Sequence, residues 1–167
     1  MQRTRLDAME CPMARTLDRV GDWWSLLILR DAFHGLSRFD QFQKSLGVAP
    51  NILSRRLKSL VDDGLLQRRR YSQRPPRDDY VLTAAGRDFF PIIAALVNFG
   101  SRHFAPEGPA VQLADAATGQ ILDPVLTDAR TGRAIALDRV AMVPGPAAGP
   151  EITDRIALIA ALKDMKP

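Results

Sequence analysis

Residues 50–83, PNILSRRLKSLVDDGLLQRRRYSQRPPRDDYVLT, change period at Gly64, and that change decides the fold. Before the glycine the pattern is helical. Projected at about 100° per residue, Leu53, Leu57, Leu60 and Val61 share one arc suited to a core. The opposite arc holds Asn51, Arg55, Lys58 and Ser59, with Ser54 and Arg56 at its borders. After the glycine, residues 65–71 and 79–83 are β-compatible and flank a tip, 72–78, that contains Pro75-Pro76, which reads as a hairpin with a stiff end. Arg68, Arg69, Arg70, Arg74 and Arg77 crowd five guanidinium groups into ten residues, opposed locally by Asp78 and Asp79. Such crowding is repulsive unless an anion is expected, and guanidinium matches phosphate in a fork. Alternation places Arg69 on the face away from Arg68 and Arg70.

Upstream, Pro12 suits a first helical position, with Met13, Leu17 and Val20 on one face and Gly21 as the stop. Asp22 caps a second helix, WWSLLILRDAFH, whose apolar residues run nearly all round, the mark of a buried central helix. Ser37 is expected to cap a third, with Asp40 as capping-box partner and Phe39, Phe42 and Leu46 facing inward. Gly47-Val48-Ala49 is a tight connection to the fourth helix, near 50–63.

Three helices, a fourth after a tight turn and then a basic hairpin is the order of a winged helix-turn-helix. The fold class is therefore mainly α (α+β). The exposed arc of the fourth helix gathers an amide, hydroxyls and cations, the groups that meet base edges and phosphates. Double-stranded DNA is the expected partner. Asn51 and Arg55 are assigned to base edges, Ser54, Arg56, Lys58 and Ser59 to bases or phosphates. Arg68, Arg70, Arg74 and Arg77 of the wing, 66–82, are assigned to the backbone or minor groove. A winged helix used as a protein-interaction module is the alternative, and it expects weak, salt-insensitive affinity for duplexes.

Downstream, Thr83 caps a long helix, AAGRDFFPIIAALVNFGSRHF, bent at Pro91, with Phe89, Ile93, Leu96, Gly100 and Phe104 along one stripe. Two coverings are open for that stripe, its symmetry mate in a homodimer or residues 106–167. Beyond Pro106, short apolar pieces separated by Thr118-Gly119 and Arg130-Thr131-Gly132 read as a small β-meander. A Pro/Gly linker, 144–150, and an amphipathic helix, 152–163, follow. Three segments result: a DNA-binding and dimerisation domain, 1–105, a β-rich extension, 106–150, and a C-terminal helix, 151–167.

Composition agrees. The 167 residues are 46% hydrophobic and 25% charged, an ordinary balance for a chain that buries a core. Residues 1–105 hold 17 Lys/Arg against 11 Asp/Glu, while 106–167 hold 6 against 8, so the excess positive charge lies with the helices and wing. All aromatics lie at or before Phe104. No apolar run approaches the ~18 residues of a membrane span, and the charged start MQRTRLDAME lacks a signal-peptide centre, so a cytoplasmic protein without a membrane partner is expected. One cysteine and two histidines, His34 and His103, assemble neither a disulfide nor a zinc site. No cofactor, metal or enzymatic activity is expected.

Residues 11–104 resemble the HxlR family of bacterial winged-helix transcription regulators. The matching stretches are Cys11-Pro12, Gly21-Asp22-Trp23-Trp24, Arg38-Phe39, the Leu53-Ser54-Arg55-Arg56-Leu57-Lys58-Leu60 pattern, Gly64-Leu65-Leu66, Pro76-Arg77, and Tyr80-x-Leu82-Thr83-x-x-Gly86. The resemblance implies a homodimer built on the first and post-wing helices and binding palindromic operator DNA. Residues 106–167 lie outside its core pattern. It also allows Cys11 to sense an oxidant, quinone or aldehyde as effector. Cys11 sits at a helix cap where the dipole favours a thiolate, Glu10 opposes that, and an inert thiol is the other reading.

Overall fold

Pro12, with φ preset and no N–H to leave unpaired, opens the first helix. In the computed structural model, which describes residues 6–164 (Lys163 and Asp164 by backbone alone), that helix is α1 (Pro12–Val20). Residues 1–5 and 165–167, the outer ends of the first and last expected segments, lie outside the described residues. The Asp22 carboxylate accepts the Ser25 N–H at 3.1 Å and the Ser25 hydroxyl at 2.6 Å, starting α2 (Trp23–Phe33). Ile28 and Leu29 are fully buried, so α2 is the central helix its composition announced.

The start of α3 (Phe39–Leu46) corrects the expected cap. Arg38 takes the cap position, and Gln41 rather than Asp40 closes the turn: its Oε1 accepts the N–H groups of both Ser37 and Arg38 at 3.0 Å. The Ser37 hydroxyl donates instead to Asp79 at 3.1 Å, because the wing runs past this corner. Gly47, at φ +60, ends α3 in the left-handed conformation that a side chain would resist, and α4 (Pro50–Asp62) follows after two residues.

Strands β1 (Leu66–Gln73) and β2 (Pro76–Leu82) form an antiparallel ribbon in the register Leu66↔Leu82, Arg68↔Tyr80, Arg70↔Asp78. Pairing continues past an irregularity between Arg70 and Ser72 to Gln73↔Pro76, so the expected seven-residue tip shrinks to Arg74-Pro75. Pro76 is tolerated there because a two-stranded ribbon has free edges. The wing is fastened to the start of α3 by a single bridge, Arg38↔Asp79, and by the Tyr80 N–H donating to the Ser37 carbonyl at 2.6 Å.

Thr83 ties the base of the wing. Its hydroxyl donates to the Gly64 carbonyl at 2.6 Å and accepts the Gly86 N–H at 3.0 Å. Gly86 lies so close to β1 that a Cβ there would stand 2.1 Å from the Leu65 carbonyl oxygen. The expected long helix is two, α5 (Ala84–Asp88) and α6 (Phe90–His103), joined at Phe89. Pro91 has no N–H for the Arg87 carbonyl and its ring crowds that turn, which breaks the helix rather than only bending it.

One cluster, Val20, Ile28, Leu29, Phe42, Val48, Leu53, Leu57, Leu60, Leu66, Phe89 and Ile93, forms the core. Leu53, Leu57 and Leu60 are fully buried, and burying each contributes about 1.5–3 kcal/mol, which fixes the rotation of α4 about its axis.

The chain divides into two compact units, residues 19–124 and a second made of the N-terminal segment to Asp18 with the segment from Val125 onward. The expected boundary at 105/106 thus falls inside the first. In place of a β-meander, the described residues beyond Pro106 hold two tight turns, each closed by a single bridge, Ala114↔Ile121 and Thr127↔Ala134. Asp115 accepts the N–H groups of Ala117 and Thr118 and the Thr118 hydroxyl, and Asp128 accepts the Arg130 N–H and the Thr131 hydroxyl. Those bonds hold both carboxyl groups below the usual range, led by the Thr118 hydroxyl for Asp115 and the Arg130 N–H for Asp128. In the second unit α7 (Pro150–Asp164) begins beside Glu10, whose carboxylate accepts the Gly149 N–H at 3.0 Å.

Candidate nucleic-acid interface

With its three leucines buried, α4 turns the opposite arc outward. Asn51, Ser54, Arg55 and Lys58 are exposed and Ser59 is half-buried. The Asn51 carbonyl oxygen accepts the Ile52 N–H at 2.9 Å, a local bond that leaves the amide NH₂ for an outside acceptor. Arg55 has no ion-pair partner among the described residues. Lys58 pairs with Asp62 one turn on, both well exposed. Such a surface pair is worth only ~0.2–1 kcal/mol and yields readily to a phosphate.

Arg56 is different. Its Nε lies 3.1 Å from the Asp22 carboxylate at the start of α2, and both side chains are mostly buried. This arginine clamps two helices of the domain and is withdrawn from the expected contact set. The projection placed Arg56 at the border of the arc, and which neighbour lies at that border is a fact of α2's packing.

The wing divides similarly. Arg74 and Arg77 are exposed and hold no ion pair among the described residues. Arg68 lies over the ring of Tyr80, its cross-strand partner, with the guanidinium carbon 5.7 Å from the centroid, which orients it without neutralising it. Arg70 is paired with Asp78 across the ribbon, so it reaches an anion only by exchange. Arg69, on the other face as alternation requires, approaches Asp79 at 3.4 Å, and Arg38 approaches the same carboxylate at 3.7 Å. Asp79 is buried and serves the corner between wing and α3. Among the described residues the uncompensated cations at this face are therefore Arg55, Arg68, Arg74 and Arg77, carried by one helix and its adjoining ribbon.

The stripe expected for dimerisation splits in two. Phe89 and Ile93 belong to the core and are unavailable to a partner. Leu96 and Phe104 are exposed, and Gly100 has open space where a Cβ would stand. Sequence reasoning missed Ile92 and Phe99, which with Leu96 form the outward row of α6 at i, i+4, i+7. Ile92 and Ile93 are adjacent and alike, and which of them meets the core is a matter of packing that a projection alone does not reveal. Phe99 also stacks edge-on against Phe104, with centroids 5.6 Å apart.

Cys11 is half-buried at the start of α1, its carbonyl accepting the Arg15 N–H. Its thiol is shifted below the ordinary value, chiefly by the Ala14 N–H; burial, the next largest effect, opposes this, and the Met13 N–H and the Arg155 guanidinium of α7 add smaller lowering effects. Among the described residues no cluster of His, Cys, Asp and Glu suits a metal ion, and no helix is long and apolar enough to cross a membrane.

The chain was compared with known proteins. The model of the HxlR-like helix-turn-helix family matches residues 19–108. An uncharacterised HTH-type transcriptional regulator of Mycobacterium tuberculosis is 42% identical over 135 residues, spanning 80% of this chain and 85% of its own. The solved structure of PA1374, a candidate transcription factor from Pseudomonas aeruginosa, is 49% identical with a TM-score of 0.63, covering 87% of this chain and 99% of that one. That of PA1607, another candidate transcription factor, is 38% identical with a TM-score of 0.77, covering 85% and 100%. With an outward cationic face on the helix after the tight turn and a wing beside it, the chain belongs to the HxlR-like helix-turn-helix family of DNA-binding transcriptional regulators.

Proposed function

We propose that this regulator is a homodimer that recognises a palindromic operator. The α4 of each subunit enters a major groove, where Arg55 and Asn51 meet base edges and Ser54, Lys58 and Ser59 meet bases or phosphates. Arg68, Arg74 and Arg77 hold the flanking backbone or minor groove. What carries the reading is the two-sidedness of α4: three leucines fully buried on one arc, and an unpaired arginine on the other beside a ribbon with more. Two such helices must lie ~34–36 Å apart to enter successive major grooves. The outward row Ile92, Leu96 and Phe99 of α6 supports pairing of subunits, since an apolar row of that kind is covered most economically by its two-fold mate.

A fluorescence-anisotropy titration of the full chain on duplexes from its own upstream region, at 50 and 200 mM salt, tests this. Tight, steeply salt-dependent binding that prefers one inverted repeat over scrambled sequence is expected. Equal weak affinity for every duplex would favour the protein-interaction module instead.

Cys11 carries a second reading, as a thiolate that reacts with an oxidant or electrophilic effector. The lowered thiol and the Arg155 guanidinium beside it favour this over an inert core thiol. Lacking a second cysteine in the chain, an oxidised Cys11 would be resolved by the partner's thiol or a small one.

A further inference from the structure

We propose that Asp79 is a positioning residue for DNA binding: its carboxylate gathers Ser37, Arg38 and Arg69 at one corner and so sets the angle at which the wing stands beside α4. The proposal rests on the operator reading above and deepens it, because it names what aims the wing arginines.

Among the described residues of the ribbon only two are buried. One is Leu66 at its base, which belongs to the core. The other is Asp79, a charged group three pairs further out, opposite Arg69 in the register. Burying a carboxylate is costly unless donors surround it. Here the Ser37 hydroxyl donates at 3.1 Å, the Arg69 guanidinium at 3.4 Å, and the Arg38 Nε stands 3.7 Å away. Arg38 also lies over the ring of Tyr71 on the other strand, its guanidinium carbon 4.6 Å from the centroid. One side chain at the cap of α3 thus reaches both strands of the wing.

Net stability explains such a corner poorly, since a buried ion pair gains little over apolar residues of similar size. Position explains it. A lone two-stranded ribbon is marginally stable at best, so its direction is set by what holds it. Leu66 and Thr83 fix the base, and α3 is joined to α4 by the tight turn at Gly47. A tie from Asp79 to α3 therefore aligns the wing with the helix that faces DNA. Arg74 lies five residues beyond Arg69, roughly 17 Å along a strand. At that reach a tilt of ~10° at the corner carries the tip ~3 Å, the length of one charge-assisted hydrogen bond to a phosphate.

Charge and position predict opposite signs. Asp79→Asn removes a negative charge and releases two arginines, which by electrostatics alone tightens binding to any duplex. Loss of position weakens it instead.

A double-mutant cycle on the full chain tests this. Anisotropy on operator and scrambled duplexes at 50 and 200 mM salt compares the unmodified chain, Asp79→Asn, the double variant Arg74→Ala with Arg77→Ala, and all three changes together. Asp79→Asn is expected to weaken operator binding roughly tenfold or more and to flatten the salt slope. Once the wing arginines are gone, it should cost less than about twofold. Arg38→Met changes an exposed side chain and leaves Ser37 and Arg69 on Asp79, so it should show the same pattern at smaller size with circular dichroism unchanged. It decides the matter if Asp79→Asn does not fold. Tighter or unchanged binding by folded Asp79→Asn, or an equal loss with and without the wing arginines for either variant, overturns the positioning role and leaves the operator reading standing. An unmodified chain that binds no duplex in preference to another overturns both.

Discussion

Arg55→Ala separates recognition from folding, and its neighbour supplies the control. Arg55 is exposed on the outer arc of α4 and holds no ion pair among the described residues, so its loss should move stability by less than ~0.5 kcal/mol. If its guanidinium forks onto a guanine, each subunit loses ~1–3 kcal/mol of discrimination. In a symmetric dimer the loss counts twice, so operator affinity falls roughly 30-fold to 10⁴-fold. A scrambled duplex keeps all but the smaller share due to one phosphate contact per subunit. Arg56→Ala should do the reverse. It removes the cation beside the mostly buried Asp22 carboxylate, which keeps its two Ser25 bonds, and costs about 1–3 kcal/mol of stability, several degrees in Tm, with the sequence preference retained. Anisotropy on operator and scrambled duplexes, beside thermal unfolding of both variants, reads all four quantities. The reasoning fails if Arg55→Ala weakens both duplexes by the same factor, or if it lowers Tm as much as Arg56→Ala does.

Three further outcomes are expected. Arg74→Ala and Arg77→Ala should each weaken operator and random duplex alike and flatten the slope of log affinity against log salt by about one unit per contact removed, measured between 50 and 200 mM salt. Gly86→Ala forces a methyl against the Leu65 carbonyl oxygen, backbone that cannot swing aside, and should cost at least ~1–3 kcal/mol in a denaturant titration; an unchanged midpoint would mean the wing base is looser than it stands here. Alkylation of Cys11 by iodoacetamide should rise through a midpoint below that of a free thiol, because the group is a thiolate above its lowered pKa. Arg155→Met should move that midpoint upward, and a midpoint at or above that of free glutathione would remove Cys11 from consideration as a sensor.

Much of this protein is legible in its residues because the signals are local. A leucine every third or fourth position, a capping aspartate at Asp22 and a glycine at Gly47 each act within one or two turns of chain, so the helices, the tight turn and the inner and outer arcs of α4 follow from spacing. The wing follows too, since five arginines beside a turn are hard to place otherwise. Its exact tip was not legible, because pairing through Ser72↔Arg77 depends on how the ribbon twists past Tyr71.

Charge alone could not say which cations are spoken for. Arg55 and Arg56 are adjacent and identical in type, yet Asp22, thirty-odd positions away, claims one and leaves the other. Which side of α6 meets the core was equally hidden: Phe89 and Ile93 join it, while Ile92, Leu96 and Phe99 stay outward. The sequence by itself thus determined the family, the order of elements and the sign of the binding face, all set by interactions between near neighbours. Only the tertiary structure decided which arginines remain free and which apolar side chains stay uncovered, because ion pairing and burial depend on groups brought together from distant parts of the chain.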